Sequence, residues 1–385
     1  MDKITENQNM LTAAPGLFSK NEVNTGRQFE ADLAKAICII GMVLVHCFEI
    51  INIDVAEISN TQYAVQIVLD CVFGAATFMF CMGLGIAYSR NNTPEGLIRR
   101  GGMLLFFAYL LNFVRSIPPY LFCYAMDKDP EWLLLCKFDI FNVDILHFAG
   151  LALMLFGLLK KLRLSDRLIG VIALAMSALA SFFRDFTTGM MAPDQLIGLF
   201  LGTAYQGVEE QEDCFPLFTW FIFVVAGYFF ALLLRRCRNK GRFYAICSPI
   251  AGAIVAIYLI IAIPNRLGVV SGDLNNYYHM TTIDAMVCIC AAIAVLGLYY
   301  AVSHILGKGL KSVISVISKD INRIYCIHWV LLMWSWFPLQ ALTGLPWLTD
   351  PQILLYGVAL FISSTLLARV YGKYKNKLKA RSLQK

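Results

Sequence analysis

Charge is what this sequence has least of. Of its 385 residues only 15% are Asp, Glu, Lys or Arg, while 58% are hydrophobic. A soluble domain carries roughly 25% charged and about 45–50% apolar residues. The shortage excludes a disordered chain and an ordinary soluble enzyme. Paired cysteines are missing too. The 12 cysteines, among them Cys38, Cys71, Cys81, Cys247, Cys288 and Cys326, are scattered, mostly inside apolar runs, and form no CxxC. That argues against a disulfide framework and for cysteine used as a small hydrophobe. No Walker loop, GxSxG, GxGxxG or kinase signature occurs. HxxxH and HExxH are absent as well, so no metal site is expected. Residues 1–26 are polar and lack the basic start and apolar core of a cleavable signal. The first apolar run would itself anchor the chain. No repeat with a period of 20–50 residues is visible.

What the sequence has instead is apolar runs. They fall at about 33–53, 63–88, 98–115, 142–160, 166–183, 215–234, 244–263, 282–303, 324–341 and 352–371. A helical span takes ~20 apolar residues, so ten spans leave little room for a separate soluble domain. The expectation is an all-α, polytopic integral membrane helical bundle of about ten transmembrane helices. It occupies residues 27–372, between a polar tail over 1–26 and a basic tail over 373–385.

The net charge of +6 reflects the loops rather than a nucleic-acid partner. One set of loops is basic: Arg90, Arg99 and Arg100; Lys160, Lys161, Arg163 and Arg167; Arg235, Arg236, Arg238, Lys240 and Arg242; Lys308, Lys311 and Lys319. The other set is acidic or nearly neutral, with Asp54, Glu57, Asp127, Asp129, Glu131, Asp139, Asp273 and Asp350. Basic loops stay cytoplasmic. Both termini then lie inside a cell (plasma) membrane and the number of spans is even. A further run, about 190–206, is broken by Pro193, Asp194, Gly198 and Gly202. A full crossing there would break the parity and bring Glu209, Glu210, Glu212 and Asp213 inside. It is expected to be re-entrant or interfacial on the outer side.

Ionisable residues inside apolar helices are expensive and mark candidate sites. The first span holds Asp32, Lys35, His46 and Glu49. Lys35 and His46 are eleven residues apart, which places them on nearly the same helix face about 16 Å apart along the axis. Glu49, three residues further, shares that face. A simpler reading fits the same residues: Asp32 and Lys35 anchor the helix end, and His46 makes one hydrogen bond in the bundle. The fourth span opens with Asp144-Ile-Leu-His147. This spacing puts a carboxylate and an imidazole on one face, as a general base requires. An Asp N-cap beside an interfacial histidine fits equally. Asp70, in the second span, suggests a polar cavity. The glycines and alanines after it, including Gly83 and Gly85, suggest close helix packing. Arg115 ends the third span and Asp284 opens a later one, both readable as boundary residues. His328 lies in another span, with no role legible from spacing.

Several motifs then converge. Lys35-x(10)-His46 resembles the arginine-x(10)-histidine of the transmembrane acyltransferase superfamily, with lysine keeping the charge. Phe141-Asn-Val-Asp144-Ile-Leu-His147-Phe-Ala-Gly150 and Asp213-Cys-Phe215-Pro216-Leu-Phe-Thr219-Trp220 resemble blocks of the heparan-α-glucosaminide N-acetyltransferase-like family. Thr219 stands where that family has a second proline. Thr77-Phe-Met-Phe80-Cys-Met-Gly83 and Ile98-Arg99-Arg100-Gly101 fit as well. The segment from Ile317 to His328 looks more like the sister sugar O-acyltransferase family.

The resemblance implies transfer of an acetyl group from cytoplasmic acetyl-CoA, the donor substrate, to a sugar or glycan on the outer face. In that frame Lys35, Arg99 and Arg100 meet the donor phosphates. His46 acts as general base or acyl carrier, assisted by Asp144 and His147. Glu49, Asp70 and Arg115 fall to the acceptor side. The partners implied are acyl-CoA, an extracytoplasmic glycan and the lipid bilayer, with no nucleic acid; a homodimer stays open. The rival reading is a proton-coupled secondary transporter of a small sugar or organic acid, using His46, Asp70 and Asp284 as a relay. The missing repeats count against it.

Overall fold

A computed structural model of the chain describes residues 16–51, 74–90, 92–183, 186–202, 214–271, 274–345 and 348–382. These residues are helical almost throughout. In chain order the helices are α1 (Phe29–Ile51), α2 (Ala75–Tyr88), α3 (Pro94–Asp127), α4 (Glu131–Phe141), α5 (Ile145–Lys161), α6 (Asp166–Ala180) and α7 (Met191–Leu201). Then come α8 (Leu217–Arg236), α9 (Lys240–Asn265), α10 (Leu274–Tyr278), α11 (Thr282–Ile305), α12 (Lys308–Thr343) and α13 (Asp350–Ser382). Among the described residues there is no β-strand, only one antiparallel bridge between Phe18 and Cys237.

Seven stretches of the described residues are long and apolar enough to cross a membrane: α1, α3, the α4–α5 stretch, α8, α9, α11 and α13. The protein is an all-α polytopic bundle. The three other apolar runs take different forms. The run at 63–88 is described only from Gly74 onward. The run at 166–183 yields the 15-residue α6. The run at 324–341 is the second half of α12, whose first half carries Lys308, Lys311, Lys319, Asp320 and Arg323. The broken segment yields α7, of 11 residues, about half the length a crossing needs.

The outside of the bundle is greasy, as a lipid-facing surface must be. On α9, Ile250, Ile254, Ile257 and Ile261 are all exposed, and their four- and three-residue spacing makes one helical stripe. Inside, α1 occupies the centre and packs against α2, α11, α12 and α13. This explains its buried alanines and cysteines, Ala34, Ala36, Cys38 and Cys47: small side chains let several neighbours approach one helix.

Close approach elsewhere rests on glycine. Where α2 crosses α8, a Cβ on Gly83 would lie 2.0 Å from the Val224 carbonyl oxygen, and one on Gly227 1.9 Å from that of Phe80. Both obstacles are backbone and cannot swing aside. Gly85, two residues on, meets nothing within 4 Å. Gly227→Val is therefore expected to destabilise the bundle by at least the ~1–3 kcal/mol of an overpacked core, while Gly85→Ala leaves the stability within about 1 kcal/mol of wild type. Thermal unfolding in detergent compares the two; equal shifts would refute the crossing described here.

Residues 17–24 and 373–382 are more structured than their polarity suggests. Residues 17–24 lie along the end of α8. Ser19 N–H donates to Arg236 O and Val23 N–H to Arg235 O, both at 2.8 Å, and Arg235 pairs with Glu22. The basic stretch beyond residue 372 continues α13 as far as Ser382.

Candidate active site

Four helices bring titratable side chains to one place: α1 supplies His46, α3 Arg115, the start of α5 Asp144 and His147, and α12 Tyr325, His328 and Trp329. Asp144 is there because it caps α5. Its backbone is extended, and its Oδ1 accepts from Ile145 N–H at 2.6 Å, as a capping carboxylate at a helix N-terminus does. Its other oxygen accepts from Arg115 Nη1 at 3.1 Å and from the Tyr325 hydroxyl. All three side chains are buried. A buried carboxylate is tolerable only with its lone pairs filled, and here a guanidinium, a phenol and a backbone amide fill them. The Arg115 guanidinium lies 4.2 Å over the Trp329 ring, whose indole packs against His46 at 4.2 Å. His46 Nδ1 in turn sits 2.9 Å from His328 Nε2.

Two expectations are corrected by this geometry. The Asp144 carboxylate does not orient the His147 imidazole. His147 Nδ1 accepts from the Asp144 backbone N–H at 3.1 Å, so the two residues form a capping box. With Nδ1 occupied as an acceptor, the His147 proton is on Nε2, which has no hydrogen-bond partner among the described residues. This ring packs edge-to-face on Tyr109 at 4.5 Å. In this arrangement its Nδ1 serves as a helix cap. Arg115, in turn, does not end its helix. The helix runs on through Pro118 and Pro119 to Asp127, and Arg115 is an interior residue. Consecutive prolines ordinarily break a helix, yet here they lie inside it.

The other candidates distribute as follows. Lys35 and Arg100 line one cavity of about 230 Å³, together with Ile39, Met42, Leu104 and Tyr325. Its polar end is Lys35, Arg100 and Asn322; its far end is Tyr325, at the Asp144 carboxylate. A second cavity of about 350 Å³ shares Lys35, Cys81 and Gly85 with the first and adds Arg27, Tyr88 and Arg90. Lys35 stands where the two adjoin, 3.9 Å from Asp32. Asp32 is fixed by Arg27 and by Ser318 Oγ at 2.7 Å. Arg99 is exposed and lines neither cavity. Glu49 is half-buried, one turn beyond His46. Asp70 and Asp213 lie outside the described residues.

Tyr325, His328 and Trp329 are the site residues that spacing did not assign. Their common signal is the buried stripe of α12, which runs through Ile314, Ile317, Ser318, Ile321, Tyr325 and His328. Polar residues on an otherwise apolar stripe at helical spacing are the mark of a buried polar contact.

The family model described as heparan-alpha-glucosaminide N-acetyltransferase, catalytic, matches residues 27–261. The chain belongs to this family. Comparison with curated proteins gives no match. Membership in the acetyltransferase family makes acetyl transfer the class of activity, carried out by a membrane protein. The matched region contains Lys35, His46, Arg100, Arg115, Asp144 and His147. It ends inside α9, so the α12 residues of the candidate site lie beyond it.

Proposed function

We propose that the protein moves an acetyl group from acetyl-CoA, bound at the Lys35 end of the bundle, to a hydroxyl or amine of a sugar or glycan at the His46 end. The observation that carries this reading is the cavity between Lys35 and Tyr325. A CoA donor needs cations for its phosphates and a narrow, mostly apolar slot for its pantetheine arm. Lys35, Arg100, Arg27 and Arg90 around the two adjoining cavities supply the first. Ile39, Met42, Phe78 and Leu104 supply the second. The slot ends beside the polar cluster that contains the only histidine of α1, and there His46 acts as general base. In the transfer, the acceptor oxygen or nitrogen attacks the thioester carbonyl, His46 takes the acceptor proton, and the C–S bond breaks to release CoA. Arg115, Asp144 and Tyr325 hold the cluster together.

The orientation in the membrane follows the same reading. Arg235 donates to the Ala87 carbonyl at 2.9 Å, Lys240 pairs with Glu30 at 2.5 Å, and Arg90 shares a cavity with Lys35. Basic loops from distant parts of the chain thus meet at the Lys35 end, which supports placing that end in the cytoplasm with the donor. Family membership weighs against the transporter reading.

Lys35→Ala is expected to raise KM for acetyl-CoA about 10-fold or more, the loss of one hydrogen bond to a charged group, with a smaller change in kcat. Lys35→Arg restores most of the binding. CoA release by reconstituted protein measures both. Equal effects of the two substitutions would remove the phosphate role of Lys35. Gly85→Leu, which projects into both cavities, should raise the same KM without lowering the melting temperature. An unchanged KM would mean that the donor does not lie there.

A further inference from the structure

We propose that His328 is a positioning residue that fixes the ring tautomer of His46, so that His46 presents Nε2 as its basic nitrogen. This rests on the reading of His46 as a base, but its geometry is independent of the reaction. The His46 and His328 rings are nearly parallel, at 8°, with centroids 5.2 Å apart. That spacing is too wide for face-to-face stacking. It equals the 2.9 Å between Nδ1 and Nε2 plus the two ring half-widths, so the rings lie edge to edge. The contact is therefore an in-plane hydrogen bond, the alignment that N–H donors prefer.

The direction of that bond follows from the other nitrogen of His328. His328 Nδ1 lies 3.3 Å from the carbonyl oxygen of Ile324, one turn earlier on α12. A carbonyl only accepts, so Nδ1 carries the His328 proton. In the neutral ring Nε2 is then a lone pair and accepts from His46 Nδ1–H. His46, also neutral, keeps its lone pair on Nε2, which makes no hydrogen bond to any described residue. The chain of donors runs from His46 Nδ1 through His328 to the Ile324 carbonyl, and every step faces away from the base nitrogen. His328 is fully buried, so water does not compete for the bond. Trp329, packed on the His46 ring and itself held under Arg115, opposes a ring flip that would break the chain. A second group that fixes a base's tautomer and orientation is a recognised device in histidine catalysis. Here that group is an imidazole anchored on its own helix, and it lies outside the family-matched region.

Nitrogen-15 NMR of histidine-labelled protein in lipid nanodiscs reads the tautomer directly. The chain has 5 histidines, and single substitutions assign them. In the wild-type protein, His46 is expected to show a protonated Nδ1 and an unprotonated Nε2. His328→Phe should convert that signal to a tautomer mixture. It should also lower kcat on the order of 10–100-fold, within what a misplaced tautomer costs a histidine base, with KM for acetyl-CoA unchanged. His328→Gln keeps a carbonyl acceptor for Nδ1–H and should retain both the tautomer and most of kcat. A protonated Nε2 on His46 in the wild-type protein, or an unchanged tautomer in His328→Phe, would overturn the proposal. If the expected tautomer appears but His46→Ala retains full acetyl transfer, the base reading falls while the assignment of His328 to the tautomer stands.

Discussion

Replacing His46 by alanine should lower kcat for acetyl transfer by about 10²–10⁴-fold, the contribution of a positioned general base, and leave acetyl-CoA binding near wild type. The split follows from the layout of the site. The cations are Lys35, Arg27, Arg90 and Arg100, around the two adjoining cavities, whereas His46 stands eleven residues further along α1 beside Asp144, Tyr325 and His328. Removing the imidazole takes away the group that receives the acceptor proton and leaves every donor contact in place. His46→Gln should behave like His46→Ala, because an amide of similar reach hydrogen-bonds but takes no proton. If His46→Ala retains kcat within a few-fold in folded protein, another group is the base and the site has been placed wrongly.

The second large effect is structural. Arg115→Met should destabilise the bundle by about 3–5 kcal/mol, the cost of leaving one partner of a buried ion pair uncompensated. The Asp144 carboxylate would keep the Tyr325 hydroxyl and the backbone amides at the start of α5 but lose its counter-charge. Trp329 would lose the cation above its ring, and with it the packing that holds His46. Combining Arg115→Met with Asp144→Asn removes both charges. It should recover much of the stability, giving a coupling well above the ~0.5 kcal/mol of independent sites. It should not recover activity, because the cluster around His46 is then altered on two sides. Thermal unfolding of the single and double variants in detergent measures the coupling. Strictly additive losses would show that the pair is not a unit.

Much of the fold was legible in the sequence because one physical quantity carried it. Long apolar runs with few charges are helices in a lipid solvent, and α1, α8, α9 and α11 follow those runs closely. Two boundaries failed for local reasons. The third apolar run ends at the charged Arg115, whereas α3 continues through Pro118 and Pro119 to Asp127. Lys308, Lys319, Asp320 and Arg323 lie in the first half of α12, so hydropathy showed only its second half. The site was legible in part. Lys35 and His46 share one helix, and a spacing of eleven residues puts them on one face wherever that helix packs. Asp144 and His147 were legible as a cluster but not as an arrangement. The true partners of Asp144 are Arg115, 29 residues earlier, and Tyr325, 181 residues later, while His328 meets His46 across 282 residues. Helical periodicity reports faces within one helix; it is silent on which faces of different helices meet. The glycines divide in the same way. Gly83 and Gly85 sit two residues apart in one motif, yet Gly83 is pressed against α8 and Gly85 opens onto the two cavities.

The most direct test is equilibrium binding of acetyl-CoA to the purified protein in lipid nanodiscs, read by isothermal titration and compared with a Lys35→Ala/Arg100→Ala variant of unchanged melting temperature. Saturable binding to the wild-type protein, weakened at least 10-fold in the variant and competed by CoA, is the predicted result. No binding, or binding indifferent to both cations, would contradict the placement of an acetyl-CoA donor at the Lys35 end, and with it the account of how this bundle works.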